Sequence, residues 1–114
     1  MKIQIHTDHH VEGHEALVTW ATGEIKNALR HHSANITRVE AHLGDGDGHK
    51  SGGNDKRCVM EARVQGHSPL AVTEHAATLY LSVTGAAQKL DRMIEGVLGR
   101  ATRKDTAPPS VAPD

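Results

Sequence analysis

Residues 70–98 read LAVTEHAATLYLSVTGAAQKLDRMIEGVL, and the periodicity of the chain changes inside this stretch. Residues 70–75 fit a strand, with Pro69 at its start, where a missing backbone N–H is tolerated. From Leu79 the period is helical: Leu79, Val83, Ala86, Ala87, Leu90, Met93, Ile94 and Val97 form one apolar stripe. Thr78 is the expected N-cap. Gly96 and Gly99 weaken the far end, so fraying is expected after Leu98. A strand that runs straight into a long amphipathic helix asks for a sheet on which that helix can lie.

The rest of the chain supplies the sheet. Residues 2–6, KIQIH, alternate and place Ile3 and Ile5 on one face. Residues 11–30 carry Leu17, Trp20, Ala21, Ile25, Ala28 and Leu29 at helical spacing, with Glu12 and Glu15 near the start and Arg30 at the end, as the helix dipole favours. Residues 36–43 alternate again, turning Val39, Ala41 and Leu43 inward. The five glycines of 44–55 predict a loop between strands. In 56–64 the inward set is Cys58, Met60, Ala62 and Val64, and 65–69 form a turn. The order is β-α-β-β-β-α, an α+β domain with a four-stranded sheet and two helices on one face. The bare face then carries Lys2, Gln4, His6, Arg38, Glu40, His42, Arg57, Glu61, Arg63, Thr73 and His75. The domain is expected to span 1–104, and the Pro-rich residues 105–114 a disordered tail.

Composition narrows the function. The 114 residues hold 13 Lys and Arg against 14 Asp and Glu, a net charge of −1, which excludes a plain basic nucleic-acid-binding tail. With no Phe, one Trp and one Tyr, the composition argues against base stacking on aromatic platforms as a mode of RNA binding. A single cysteine, Cys58, rules out an internal disulfide framework and fits a reducing compartment. No apolar run approaches the ~18 residues of a membrane span, and MKIQIHTDHH lacks a signal peptide's apolar stretch; a cytoplasmic protein is expected.

The charge is unevenly spread. Residues 79–104 hold Lys89, Arg92, Arg100, Arg103 and Lys104 against Asp91 and Glu95. The spacing of Lys89, Arg92, Arg100 and Arg103 keeps them near one helix flank, away from the apolar stripe. Such an array can follow a phosphate backbone without reading bases. A solvated helix end with dipole-favoured cations is the competing reading.

The same stretch carries a resemblance. The order of elements, Tyr80 in the first helical turn and the element Lys89-Leu90-Asp91-Arg92 resemble the ribosome hibernation promoting factor and ribosome-associated inhibitor family, also called sigma-54 modulation proteins, in its short form. The 2–6 strand with its following helix, and Asn35-Ile36-Thr37-Arg38-Val39-Glu40 as second strand, are similar too. The resemblance implies a non-enzymatic translation regulator without cofactor. It implies binding to the small ribosomal subunit in the tRNA and mRNA channel, with basic side chains on 16S rRNA phosphates and idle ribosomes preserved. The matching positions are Lys89 and Arg92, more loosely Arg100, Arg103 and Lys104, and, near the first helix's basic positions, Lys26 and Arg30. A binding module of similar fold with a different protein or metal partner, reached through its histidines, is the alternative.

Ten histidines stand out: His6, His9, His10, His14, His31, His32, His42, His49, His67 and His75. Imidazoles titrate near pH ~6.5, so acidification would add positive charge and strengthen phosphate binding. His10 and His14, with His6, Asp8 and His9 nearby, are the competing metal-binding set, but their geometry is loose if the helix begins near Val11, and scattered surface histidines are the favoured reading. Asp45-Gly46-Asp47 opens like a calcium loop, but the later ligand positions fail, and Gly48-His49-Lys50-Ser51 is not a phosphate-binding loop. Cys58, on an inward face, reads as a buried thiol rather than a nucleophile. No catalytic grouping assembles from the sequence.

Overall fold

The structure is a computed structural model that describes residues 1–7, 14–45 and 56–106, with Asp45 and residues 100–106 described by backbone alone. Its elements are β1 (Lys2–Thr7), α1 (His14–Ala28), a 3-10 turn (Arg30–His32), β2 (Ile36–Asp45), β3 (Lys56–Val64), β4 (Leu70–Ala76) and α2 (Leu79–Thr106). The strand order is β1-β2-β3-β4. β1 and β2 are parallel because α1 carries the chain back over the sheet between them; β3 and β4 each return antiparallel to the strand before. The expected β-α-β-β-β-α sheet with two helices is therefore the observed one.

Both helices lie against the face formed by Val39, Ala41, Leu43, Cys58, Met60, Ala62 and Val64. From above, Leu17, Ala21, Ile25 and Leu29 of the α1 segment and Val83, Ala86, Ala87, Leu90 and Ile94 of α2 close the core. Alanines at 41, 62, 86 and 87 let helix and sheet approach, while Ile25, Met60 and Leu90 fill the volume. Trp20, midway along α1, and Tyr80, in the first turn of α2, meet edge to face at 4.8 Å and tie the two helices together. No helix among the described residues is long and apolar enough to cross a membrane.

Local chemistry sets the boundaries. Thr78 caps α2, its Oγ1 accepting the Leu81 N–H at 3.0 Å. The β3–β4 connection closes with the His67 N–H donated to the Val64 carbonyl at 3.0 Å, and Gly66 there has φ 80°. That left-handed conformation favours glycine.

Three expectations differ from the structure. Gly44 and Asp45 belong to β2 rather than to the loop, because the ladder continues and pairs them with Arg57 and Lys56. The α2 backbone stays helical through Gly96 and Gly99 to Thr106, past the expected fraying point. Leu98 still rests on the core there. Met93 is 39% exposed, not part of the core stripe. It stands one residue, or 100°, round the helix from buried Ile94, one turn on from Lys89, which reaches Thr73 of β4, and among the described residues no strand lies beyond β4 in the sheet. Residues 46–55 of the expected loop and 107–114 of the expected tail lie outside the described residues.

Cys58 is buried, and burial first, then the charge of Glu74, pushes its thiol from the ordinary 9.0 up to about 12. At pH 8 its reaction with an aromatic disulfide reagent should be roughly a thousandfold slower in the native protein than in urea. The same displacement means that the unfolded chain ionises first. This contribution to stability is whole below pH 9.0 and lost as pH rises toward about 12, which urea midpoints for wild type and Cys58→Ala will show. Gly66→Ala should lower stability by about 1 kcal/mol. Gly23→Ala, on an open face of α1 where a methyl would meet nothing within 4 Å, should raise it by up to ~1 kcal/mol, both read by urea unfolding.

Candidate nucleic-acid interface

Of the seven cations singled out in the sequence, four have described side chains on the helical layer. Lys26 projects from α1, exposed and without an ion pair among the described residues. Arg30, in the 3-10 turn, folds back and donates Nη1 to the Asn27 carbonyl at 2.8 Å and to Asn27 Oδ1 at 3.2 Å. Arg92 is exposed and borders a shallow groove of about 240 Å³ between the helices, shared with Glu24, Asn27, Ala28, Gln88 and Asp91. Lys89 points the other way. Its Nζ lies 2.7 Å from Glu74 Oε1 and donates to the Thr73 carbonyl at 3.2 Å.

Glu74 reaches Lys89 because Gly85 gives it room: a Cβ at Gly85 would stand 2.7 Å from Glu74 Cγ and Oε2. Other carboxylates line the α1–α2 seam. Glu24 Oε2 accepts from Thr84 Oγ1 at 3.0 Å. Buried His32 places Nε2 3.1 Å from Glu95 and 3.4 Å from Asp91, without an aligned hydrogen bond to either. The described helical cations therefore do not form one uninterrupted ridge. Arg100, Arg103 and Lys104 occupy the last turns of α2, and their side chains lie outside the described residues.

The open face of the sheet brings together cations that the sequence displayed but did not single out. Register sets Lys2 opposite Arg38 and Arg38 opposite Arg63, a row of three cations across three strands. Like charges directly opposite in a sheet repel. Arg38 is answered by Glu40 and by Gln4, whose Oε1 accepts its Nη2 at 2.8 Å. Lys2 and Arg63 have no ion pair among the described residues, and neither does Arg57, which sits opposite His75. Alternation alone placed these residues on one face; their alignment needed the strand order. On the same face, His6 and His42 stack at 4.6 Å beside Glu40. Asp8, His9 and His10 of the sequence-proposed metal set lie outside the described residues, and His14 begins α1.

Comparison with known proteins gives a family. Residues 3–101 match the family model described as sigma 54 modulation protein / S30EA ribosomal protein. Among solved structures, the protein Y N-terminal domain of Thermus thermophilus superposes with a TM-score of 0.66 at 16% identity, covering 85% of this chain and 99% of that one. A ribosomal subunit interface protein from Coxiella burnetii superposes with a TM-score of 0.70 at 14% identity, covering 87% of this chain and 99% of that one. At these identities the superpositions establish the shared fold. No curated protein matches in sequence.

The contrast between Lys89 and Arg92 is measurable in the isolated protein. A double-mutant cycle on Glu74→Gln and Lys89→Met should give a coupling below ~1 kcal/mol, since Lys89 is half exposed. Arg92→Ala should leave stability within about 0.5 kcal/mol of wild type, both by urea unfolding.

Proposed function

The chain belongs to the sigma 54 modulation protein / S30EA ribosomal protein family, and we propose that it is a ribosome-associated hibernation factor that docks on phosphates of small-subunit 16S rRNA. In this reading it occludes the tRNA and mRNA channel and silences idle ribosomes in the cytoplasm, without catalysis. The name of one structural relative, a ribosomal subunit interface protein, supports a place on the ribosome.

The observation that carries the phosphate part is the cross-strand row of Lys2, Arg38 and Arg63. Glu40 already answers Arg38, the middle of the row, and Lys2 and Arg63 on either side of it are left for an external anion. Arg57 extends the cationic face on β3. On the opposite side, Lys26 and Arg92 stand without ion pairs among the described residues. Arg30 would add to that side, Lys89, already matched by Glu74, contributes less, and Arg100, Arg103 and Lys104 stay in the proposal on the sequence resemblance alone. A two-layer domain with unpaired cations on both outer faces suits a cleft bounded by phosphates on two sides. Such contacts position a protein without reading sequence.

Cosedimentation of the protein with purified small subunits tests this. Binding is expected at low salt and should fall steeply as salt rises. Arg63→Ala and Arg92→Ala should each lower the slope of log affinity against log salt by roughly 0.7–0.9, the signature of one lost phosphate contact. Failure to cosediment at low salt would end the proposal. Binding with unchanged slopes in both variants would move the interface elsewhere.

A further inference from the structure

We propose that His6, Glu40 and His42 form a zinc-binding site on the open face of the sheet, beyond and independent of ribosome binding. The three residues come from two parallel strands. Register pairs His6 of β1 with His42 of β2, and Glu40 lies two residues before His42, hence on the same face. Their ligand atoms all fall within 4.8 Å of one another.

The distances argue for a bridging ion rather than for direct bonding. Glu40 Oε1 is 3.9 Å from His6 Nε2 and 3.7 Å from His42 Nε2. Both separations exceed hydrogen-bond length. A tetrahedral zinc ion bound at ~2.0–2.2 Å holds its donor atoms ~3.3–3.5 Å apart, so Glu40 Oε1 has to close on each imidazole by about half an ångström, and the two imidazole nitrogens, within 4.8 Å of one another, have to draw together as well. Both imidazoles are at least half exposed and can make that adjustment. The rings lie 4.6 Å apart and 15° from parallel, so taking up one ion also turns them until both Nε2 lone pairs, which lie in the ring planes, meet on it.

The surroundings fit a metal ligand set. Glu40 turns its second oxygen to Arg38, which Gln4 holds in turn through a 2.8 Å bond. An outer partner of this kind fixes a ligating carboxylate's orientation. Two imidazoles and one carboxylate, three protein ligands with a fourth position open, are a donor set that zinc favours. A hollow of about 360 Å³ lined by His6, Thr7, His42, Leu43 and Arg57 opens beside the rings. It leaves room for the fourth ligand, and Arg57 on its wall favours an anionic one, such as a phosphate or carboxylate oxygen. The site is distinct from the His10 and His14 spacing visible in the sequence, and it shares only His6 with that set.

Calorimetric titration of the full chain with zinc chloride, in a non-chelating buffer, tests the site directly. One equivalent should bind, and His6→Ala, His42→Ala and Glu40→Gln should each weaken binding at least tenfold. A variant with His9, His10 and His14 all changed to alanine should bind as wild type does. In the unmutated protein, zinc should shift the ring resonances of His6 and His42, a readout that requires no substitution. Absence of binding, binding unaffected by the three single variants, or loss of binding in the triple variant would each overturn the proposal. None of these outcomes involves ribosomes, so the result stands apart from the cosedimentation test.

Discussion

Val39, Ala41, Met60 and Ala62 are removed from water beneath Ile25, Leu29, Leu90 and Ile94, and the remaining features of the molecule follow from that burial. Burying one large aliphatic side chain contributes roughly 1.5–3 kcal/mol. Because side chains alternate along a strand, the register that hides these residues also sends Lys2, Arg38, Arg57 and Arg63 to the opposite face. A slip of one residue would expose the core set and bury the cations. The charged display on the open face is thus held in place by the apolar layer behind it. Together with the Glu40 and Gln4 contacts of Arg38, this burial is how three cations can stand in one row.

Glu74 is the exception on the covered side, and it shapes the helical layer. Two residues beyond buried Val72, it points toward α2 at the edge of the core. A partly buried carboxylate needs a partner. Lys89 supplies the charge, and the missing side chain at Gly85 supplies the space. The same carboxylate adds to the burial that keeps the Cys58 thiol protonated. A lysine that reads on a helical wheel as a free surface cation is therefore partly a structural counter-ion. Arg92, three residues on, has no such partner among the described residues and remains available.

These two residues show what the sequence could and could not tell. Alternation and helical period located the strands and both helices, because each element buries a stripe of large or small apolar residues. Thr78 announced the start of α2 by its chemistry. The pairings between elements were not legible. Lys2 and Arg38 are 36 residues apart, and only the parallel β1–β2 pairing brings them together, as it does His6 and His42. The Lys89–Glu74 pair depends on which flank of α2 overhangs β4, and the same fact left Met93 exposed. Near the end of α2, propensity at Gly96 and Gly99 argued for fraying, yet a helix already anchored by Leu90 and Ile94 continues past them. Propensity is a weak term once packing has fixed the preceding turns.

A net charge of −1 and a phosphate-binding role are compatible for a physical reason. At physiological ionic strength a charge is screened beyond about 8 Å, so a polyanion senses the patch it touches and not the whole protein. Here several carboxylates are matched locally, Glu74 by Lys89, Glu24 by Thr84 and Glu40 by Arg38, while Asp91 and Glu95 flank His32. Several of the cations left over, Lys2, Arg57, Arg63, Lys26 and Arg92, stand at the two outer faces. The acidic seam between α1 and α2 would repel a phosphate laid along it, while the flanking cations would attract one. An anionic cleft can therefore accept this domain in few orientations, and the carboxylates that lower its overall charge help to select them.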